Sequence, residues 1–429
     1  MHKLLVAVFA FLASQWAVAG VAIEHWVSPS GARVYYVASP TLPILDVQVD
    51  FAAGSMFDPP GKSGLAALTR STLDLGAGAR DETAIAEQLA DIGATLGGGA
   101  DTDRASIVLR TLSSVAPRQA ALDILQAVLQ KPRFEEGIFQ REKNRTIAGL
   151  KEALTRPDSI AGKAFWAAMY PHHPYGRQAS PESVGTLSRE DLPTFYRRYY
   201  NAANASITLV GNISRQEAEV IAETLVQGLP QGEPAKLPPP PVAPHGGVTK
   251  IAHPASQAHI YIGMPAIERG NPDFFPLLVG NYTLGGGGFV SRLMQEVRDK
   301  RGYAYSVYSY FSPLRQSGPF QIGLQTKRSQ AKEAIRLTRD IVDNFLRNGP
   351  SEEELAAAKD NLAGSFPLRL DSNQKLLDNV AVIGFYGLPL DYLDQYQARV
   401  RAVTLDEIRK AYFRHIHAAN LLTVTVAAE

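Results

Sequence analysis

The sequence predicts an α+β fold made of two tandem homologous halves. Each half is expected to hold antiparallel or mixed sheets with helices packed on one face, in a clamshell-like arrangement. Three observations support this prediction: segments of alternating apolar and polar residues, longer segments with helical spacing, and a block of sequence that recurs at the end of each half. The chain has 429 residues, of which 45% are hydrophobic and 20% charged, as is typical of globular proteins.

The first 19 residues have the features of a cleaved secretory signal. His2 and Lys3 precede an apolar run over residues 4–13, and Ala17-Val18-Ala19 supplies a small-x-small cleavage site. The apolar run is too short to cross a bilayer as a helix, and no later segment is long and apolar enough. We therefore predict a signal peptide over 1–19 and a mature protein exported to the periplasm with no membrane span.

The first half, residues 20–228, alternates between strand and helix patterns. Residues 44–51 and 106–112 alternate apolar and polar side chains, as half-buried strands do. Apolar residues at helical spacing predict helices over four segments, 64–75, 83–93, 118–130 and 135–154.

A proline-rich segment over residues 229–247 is predicted to separate the two halves. It contains four consecutive prolines, Pro238 to Pro241, and lacks hydrophobic periodicity. Such a composition favours an extended spacer over a helix or a strand. The second half then spans residues 248–429.

The second half has its own strands and helices and resembles the first. Its strands are predicted at 259–264 and 321–325, and its helices at 330–348 and 351–364. Ala202-Ala203-Asn204 matches Ala418-Ala419-Asn420 at an offset of 216 residues. Each triplet is preceded by a predicted helix and followed by a predicted strand. Each of these helices begins with a predicted capping box, Ser188 with Asp191 in the first half and Thr404 with Glu407 in the second. A tandem duplication explains this shared order.

Charge and cysteine content exclude several classes of function. Lys and Arg total 43 and Asp and Glu 42, so the chain lacks the excess of basic residues that nucleic-acid binding requires. The absence of cysteine excludes a disulfide scaffold, a thiol nucleophile and a Cys-ligated zinc site.

Several blocks carry a resemblance to a known family. They are residues 54–78 (GSMFDPPGKSGLAALTRSTLDLGAG), residues 134–150, His173-Pro174-Tyr175-Gly176, and residues 284–311 (LGGGGFVSRLMQEVRDKRGYAYSVYSYF). In content and order they resemble the pitrilysin/insulinase-type zinc metallopeptidases, which include the mitochondrial processing peptidase. The resemblance covers essentially the whole mature chain.

The resemblance also shows that the zinc motif is degenerate. The family's His-x-x-Glu-His helix has two imidazoles four residues apart and a glutamate that polarises the metal-bound water. The corresponding positions here are Ala67, Arg70 and Ser71, and the third ligand position falls at Ala148. Because methyl, guanidinium and hydroxyl groups cannot hold Zn²⁺, we expect no catalytic zinc and no other cofactor in this chain.

Other residues offer weak substitutes for those ligands. His172 and His173 are adjacent, and His415 and His417 fit a strand better than a helix, so neither pair has the i, i+4 spacing of a helical metal site. Asp101 and Asp103 follow a glycine-rich turn and are read either as a strand entry or as part of a displaced metal site. The glycine run 285–288 lacks the ending of a phosphate-binding loop and is expected to allow close backbone approach before a helix over 289–298.

The resemblance assigns a different pair of functional residues to the second half. Catalytic members carry an arginine and, seven residues later, a tyrosine that reach into the zinc site from the second half. Arg298 and Tyr305 stand at those positions, with Arg301 and Tyr303 as less favoured neighbours. The implied roles are binding of the substrate backbone by arginine and stabilisation of an oxyanion by the tyrosine hydroxyl.

These features together predict the non-zinc-binding subunit of a periplasmic heterodimeric zinc metallopeptidase. Its partners would be a homologous zinc-bearing subunit and an unfolded or extended peptide, and it would supply Arg298 and Tyr305 in trans. Two alternatives stay open: a catalytically inactive peptide-binding or scaffold homologue, and a self-sufficient peptidase with unorthodox metal ligands. A homodimer without chemistry is a further possibility.

Overall fold

The computed structural model describes residues 20–428, and the predicted signal peptide over 1–19 lies outside the described residues. Two large sheets dominate the described part. The strand over residues 44–51 forms as predicted but is buried on both faces, not half-buried: Asp46, Gln48 and Asp50 are buried as well, because the helix Asn373–Tyr386 packs on their face. Along residues 44–51, Leu45, Val47, Val49 and Phe51 are fully buried in one core. Their spacing of two places them on one face of the strand. The predicted α+β class is confirmed.

The first half forms a six-stranded sheet in the order β1-β2-β8-β3-β7-β6, in which β2 and β8 run parallel and the other neighbours antiparallel. The strands of this half are β1 (Glu24–Val27), β2 (Arg33–Ala38), β3 (Ile44–Phe51), β4 (Gly76–Ala77), β5 (Arg80–Asp81), β6 (Thr95–Ala100), β7 (Ala105–Leu112) and β8 (Ala205–Gly211), of which β4 and β5 form a separate two-stranded antiparallel sheet. The helices are α1 (Leu65–Thr72), α2 (Glu82–Asp91), α3 (Val115–Gln130), α4 (Glu136–Ala153), α5 (Pro157–Met169), α6 (Pro181–Gly185), α7 (Asp191–Tyr199) and α8 (Arg215–Val226).

The second half forms a five-stranded sheet in the order β11-β12-β10-β13-β9, in which β13 and β9 run parallel. The strands are β9 (Val248–Ile251), β10 (Gln257–Ile267), β11 (Ala304–Phe311), β12 (Gly318–Lys327) and β13 (Leu422–Val426). The helices are α9 (Phe274–Asn281), α10 (Ala331–Asn348), α11 (Glu352–Gly364), α12 (Asn373–Tyr386), α13 (Tyr392–Ala402) and α14 (Leu405–His415). Residues 229–247, all of which the structure describes, contain no helix or strand. A helix with the length and apolarity to cross a bilayer is not found in the described part of the chain.

The spacing of the helices repeats between the halves. Helices α3, α4 and α5 begin at residues 115, 136 and 157, and α10, α11 and α12 begin at residues 331, 352 and 373, in each case 216 residues later. The same offset relates the two Ala-Ala-Asn turns. Because three consecutive helices share this offset, the duplication extends far beyond the helix, Ala-Ala-Asn turn and strand that end each half.

Each half also lends a helix to the second face of the other half's sheet. Helix α5 packs on β10 and β13, and α12 packs on β8, β3 and β2. The ring centroids of Phe165 on α5 and Tyr261 on β10 are 5.5 Å apart. On α12, a Cβ at Gly384 would lie 2.5 Å from Cδ2 of Tyr35, so glycine permits this close approach. The exchange fixes how the halves are oriented.

A buried carboxylate strengthens this junction. Asp103, in the turn between β6 and β7, is fully buried. Its Oδ1 accepts a hydrogen bond from the Tyr175 hydroxyl at 2.7 Å. Its Oδ2 accepts from the Tyr386 hydroxyl on α12 and from the backbone N–H of Arg315, both at 2.8 Å. Burial raises the pKa of Asp103 above its ordinary value. One side chain therefore binds segments of both halves.

The network around Asp103 extends to the proline-rich segment. The Gln316 backbone N–H donates to the Tyr175 hydroxyl at 3.1 Å, and the Gln316 side chain donates to the Pro238 carbonyl at 2.6 Å. His173 is buried beside it, with Nε2 2.6 Å from the Gln316 Oε1. Loop, linker and both halves thus meet at one hydrogen-bonded cluster.

Three local predictions differ from the structure. Ser188 donates to the Asp191 carboxylate, so only half of that capping box forms and the helix begins at Asp191, whereas the box at Thr404 is complete. The helix predicted over residues 289–298 is interrupted by the extended backbone of Ser291, leaving a 3-10 turn over Gly288–Val290 and a π-helical turn over Met294–Asp299. His415 is the last residue of α14, not part of a strand, and its Nε2 lies 2.9 Å from the Asp273 carboxylate.

Replacing Asp103 tests the junction. In Asp103→Asn the side-chain nitrogen cannot accept hydrogen bonds, so at least one of three buried donors loses its acceptor. We expect the free energy of unfolding to fall by about 2 kcal/mol or more, measured by chemical denaturation. Asp91→Asn, at the exposed end of α2, should change it by no more than about 0.5 kcal/mol. Equal effects of the two substitutions would contradict this role for Asp103.

Candidate functional site

Helix α1, where the family's zinc motif would lie, is fixed at its start by a buried aspartate. The Asp58 carboxylate accepts hydrogen bonds from the backbone N–H groups of Gly64 and Ala66, both at 2.7 Å. Gly64 precedes the helix with φ of +104°, a conformation that favours glycine. Burial raises the pKa of Asp58 to about 6, although the N–H donors oppose the shift.

The degenerate zinc positions have unequal environments. Ala67 and Ser71 on α1 are exposed, and Ala148 on α4 is exposed as well. Arg70, at the position of the water-polarising glutamate, is 3% exposed. Its Nε donates to the Ser106 carbonyl at 2.6 Å, and its Nη2 donates to the Gly97 carbonyl. Its Nη1 lies 3.3 Å from the Asp74 carboxylate.

Arg70 therefore has a structural environment and not a catalytic one. Its guanidinium joins α1 to two neighbouring strands, β6 and β7, through their carbonyl groups, and a fixed positive charge cannot accept a proton from water. Ala67, Ser71 and Ala148 offer no imidazole or carboxylate. Within residues 20–428, no cluster of three or more His, Asp or Glu side chains has an arrangement suited to a metal ion.

Arg298 and Tyr305, in contrast, are brought together at the surface of the second half. Arg298 lies in the π-helical turn, and Tyr305 lies on β11, the edge strand of the second sheet. The guanidinium carbon of Arg298 is 5.6 Å from the Tyr305 ring centroid and 4.9 Å from that of Phe289. Cation–π contacts of this length hold the three side chains as one group.

The geometry leaves the polar atoms of this pair accessible. Tyr305 is 86% exposed. It lies in a β-bulge between Ala304 and Val307, where the register with β12 shifts. Bulges re-aim side chains at sheet edges. Arg298 contacts the neighbouring Asp299 carboxylate at 3.1 Å, an exposed ion pair that costs little to exchange for another anion or a carbonyl. The pair can thus donate hydrogen bonds to a bound carbonyl or oxyanion.

The glycine run and the neighbouring residues support this arrangement. A Cβ at Gly285 would lie 2.4 Å from Oγ of Ser309, so the chain there needs glycine to lie against β11. Arg301 is exposed and makes no cation–π contact with Tyr305 in the described part of the chain. Tyr303 is half-buried, and its backbone N–H donates to the Val297 carbonyl at 2.9 Å.

The degenerate zinc positions and the Arg298–Tyr305 pair lie in different halves. Within the described residues, no hydrogen bond or ion pair links α1 to Arg298 or Tyr305. The structure joins Arg298 to Tyr305 but does not join either to the positions of Ala67, Arg70 and Ser71.

Two family models match consecutive stretches of the chain. The family model described as Insulinase (Peptidase family M16) matches residues 33–181. The model described as Peptidase M16 inactive domain matches residues 186–362. The chain belongs to the M16 peptidase family. This membership confirms the resemblance found in the sequence.

Individual M16 proteins extend the similarity over nearly the whole chain. A crystal structure of a peptidase M16 inactive domain from Pseudomonas fluorescens is 35% identical, covers 95% of this chain and 98% of its own, and superposes with a TM-score of 0.91. An uncharacterized zinc protease of Streptomyces coelicolor is 25% identical over 89% of this chain and 84% of its own length. A protein of Helicobacter pylori named as a non-peptidase homolog is 26% identical over 92% of this chain and 91% of its own length.

Two functional features are not evident from the sequence pattern. Phe289, which lies under the Arg298 guanidinium, directly follows the glycine run, but an exposed aromatic residue alone does not indicate a partner. The sequence pattern indicates a strand entry or a displaced metal ligand at Asp103, whereas this residue accepts three hydrogen bonds at the junction of the halves. Its partner Tyr175 lies in the His-Pro-Tyr-Gly block, which marked the family but not this contact.

Arg70→Glu restores the family's carboxylate and is expected to destabilise the protein. The new charge would face the Ser106 and Gly97 carbonyl oxygens and the Asp74 carboxylate, so all three would lose a donor. We expect a loss of about 3–5 kcal/mol in the free energy of unfolding, measured by denaturation. Arg197→Glu, the same change on the exposed side of α7, should cost less than about 1 kcal/mol. A stable Arg70→Glu protein would show that the buried contacts contribute little.

The raised pKa of Asp58 predicts a pH dependence of stability. The folded protein holds the proton of the Asp58 carboxyl more tightly than the unfolded chain does. The contribution of this proton to the free energy of unfolding is therefore full at low pH and is lost as the pH rises towards about 6. As the pH rises from about 4 to about 7, the free energy of unfolding should therefore fall by up to about 3 kcal/mol more in the wild type than in Asp58→Asn. Unfolding measured at both pH values checks this. Asp123→Asn, an exposed control on α3, should follow the wild type, and identical slopes for all three proteins would refute the assignment.

Proposed function

We propose that this chain is the non-zinc-binding subunit of a heterodimeric M16 peptidase. The contrast between the two sites carries the proposal: the buried guanidinium of Arg70 occupies the position of the catalytic base, whereas Arg298 and Tyr305 are adjacent and accessible. Among residues 20–428, the side chains of Arg298 and Tyr305 have no hydrogen-bond acceptor other than Asp299, which suits a site that another molecule completes.

The residues of this chain would act on the substrate carbonyl. In the proposed complex, the zinc of the partner subunit supplies an activated water. The Tyr305 hydroxyl would donate to the oxygen that becomes negatively charged as the tetrahedral intermediate forms. Arg298 would donate to a neighbouring backbone carbonyl and hold the peptide in register. Neither residue needs to change its protonation state.

An extended peptide is the substrate that this surface suits. Tyr305 lies on an edge strand, and a peptide in extended form can pair with a sheet edge through its backbone while side chains alternate between two faces. The proposed location is the periplasm, because the predicted signal over residues 1–19 would direct export.

A second candidate is a catalytically inactive peptide-binding or scaffold homologue. The name of the Helicobacter pylori relative, a non-peptidase homolog, favours it. In that case the exposed group of Arg298, Tyr305 and Phe289 would bind a chain without cleaving it.

Mixing experiments separate the two. The mature chain should hold no stoichiometric zinc and cleave no unstructured peptide alone, but should produce activity when mixed with an exported homologue that carries the His-x-x-Glu-His helix. In the mixture, Tyr305→Phe should lower kcat by about 10²–10³, as removal of an oxyanion donor does. Arg298→Ala should raise KM and lower kcat/KM at least about tenfold, because a charged hydrogen bond to the substrate is lost.

The neighbouring residues provide matched controls. Arg301→Ala and Tyr303→Phe remove the same chemical groups a few residues away and should leave kcat/KM within about twofold. Activity on mixing that is indifferent to Arg298 and Tyr305, or no activity with any zinc-bearing homologue, would favour the scaffold. Zinc and activity in the lone chain would overturn both candidates.

A further inference from the structure

A cavity in the first half is lined by none of the degenerate zinc positions and by neither Arg298 nor Tyr305. It has a volume of about 520 Å³ and opens between the Asp58 turn, the 3-10 turn at Pro174–Gly176, helix α7 and the proline-rich segment. This volume falls in the range of small-molecule sites.

The floor of the cavity is aromatic. The rings of Phe57 and Tyr199 have centroids 5.1 Å apart, and those of Phe195 and Tyr199 are 4.6 Å apart. Each of the three residues is less than a tenth exposed, so they present only part of their rings to the cavity. Four prolines also line it: Pro59, Pro60, Pro174 and Pro238. An apolar body of a ligand would lose water against these rings.

The charged residues of the cavity are unbalanced. Its lining includes the cations Lys62, Arg177, Arg198 and Lys236 and the carboxylates Asp58 and Asp191. Both carboxylates have partners within the protein: Asp58 accepts from the start of α1, and Asp191 pairs with Lys62.

Two of the cations lack such partners. Within residues 20–428, Arg177 and Arg198 make no ion pair; the Arg198 guanidinium carbon instead lies 5.2 Å from the Tyr199 ring centroid. The cavity therefore combines an apolar floor with a net positive rim whose arginines are available to an anion.

We propose that this cavity binds a small organic carboxylate with an aromatic or alkyl body. The body would lie against Phe57, Phe195 and Tyr199, and the carboxylate would pair with Arg198 and Arg177. A guanidinium matches a carboxylate through two parallel hydrogen bonds, which fixes the orientation of the ligand. The site belongs to this chain alone and does not depend on the proposed peptidase partner.

Two probes of the same size and opposite charge test the proposal. 4-Phenylbutanoate and 4-phenylbutylamine are titrated into the mature chain and binding is measured by calorimetry. The acid should bind at least about tenfold more tightly than the amine, because the rim repels a cation and pairs with an anion. Arg198→Gln should weaken binding of the acid at least about tenfold, the loss expected for a charged hydrogen-bonded pair.

Two further variants keep the outcome interpretable. Arg197→Gln makes the same charge change on the next residue of α7, outside the cavity lining, and should leave the acid's affinity within about twofold. Thr194→Trp places a large side chain in the cavity and should abolish binding while the melting temperature stays near that of the wild type. Equal affinity for acid and amine, or equal effects of the Arg197 and Arg198 substitutions, would overturn the proposal.

Discussion

The buried carboxylate of Asp103 is the interaction on which the arrangement of this molecule most depends. A fully buried carboxyl group is stable only where donors replace the water it has lost, and its three donors come from a turn in the first half, a loop in the second half and helix α12. Two of these donors are themselves held: the Arg315 side chain donates to the Phe385 carbonyl at 2.6 Å, and the Tyr175 hydroxyl accepts from the Gln316 backbone N–H. The relative position of the halves, and hence of helix α1 and the Arg298–Tyr305 pair, follows from this satisfied cluster.

Helix α1 shows how a catalytic helix can be kept after its chemistry is lost. In a zinc-binding relative the metal would hold this helix to its neighbours. Here the Arg70 guanidinium instead joins the helix to β6 and β7, and Asp58 fixes the start of the helix. The buried guanidinium is stable because each of its three nitrogens donates to an acceptor of the protein. These contacts give α1 a structural role in the first half.

Local signals in the sequence predicted much of this fold. The alternation over residues 44–51 indicates a strand, the capping box at Thr404 and Glu407 a helix start, and the repeated Ala-Ala-Asn turns the duplication. The missed features depend on partners far away in sequence. Tyr386 lies 283 residues from Asp103, and no local pattern records that contact. The break at Ser291, where the backbone is extended, is likewise not reported by helical propensity.

The exchange of helices α5 and α12 has a consequence for how such a protein arose. Leu422 and Val424 of the last strand are buried in the core of the first half, and Tyr35 and Val37 of an early strand in the core of the second, so neither half encloses its own hydrophobic interior. A half-length ancestor with this fold would expose one face of its sheet and could cover it by lending its helix to a second copy. Two such copies would form a domain-swapped homodimer. The present chain is then the covalent version of that dimer, with residues 229–247 as the segment that joined one subunit to the next.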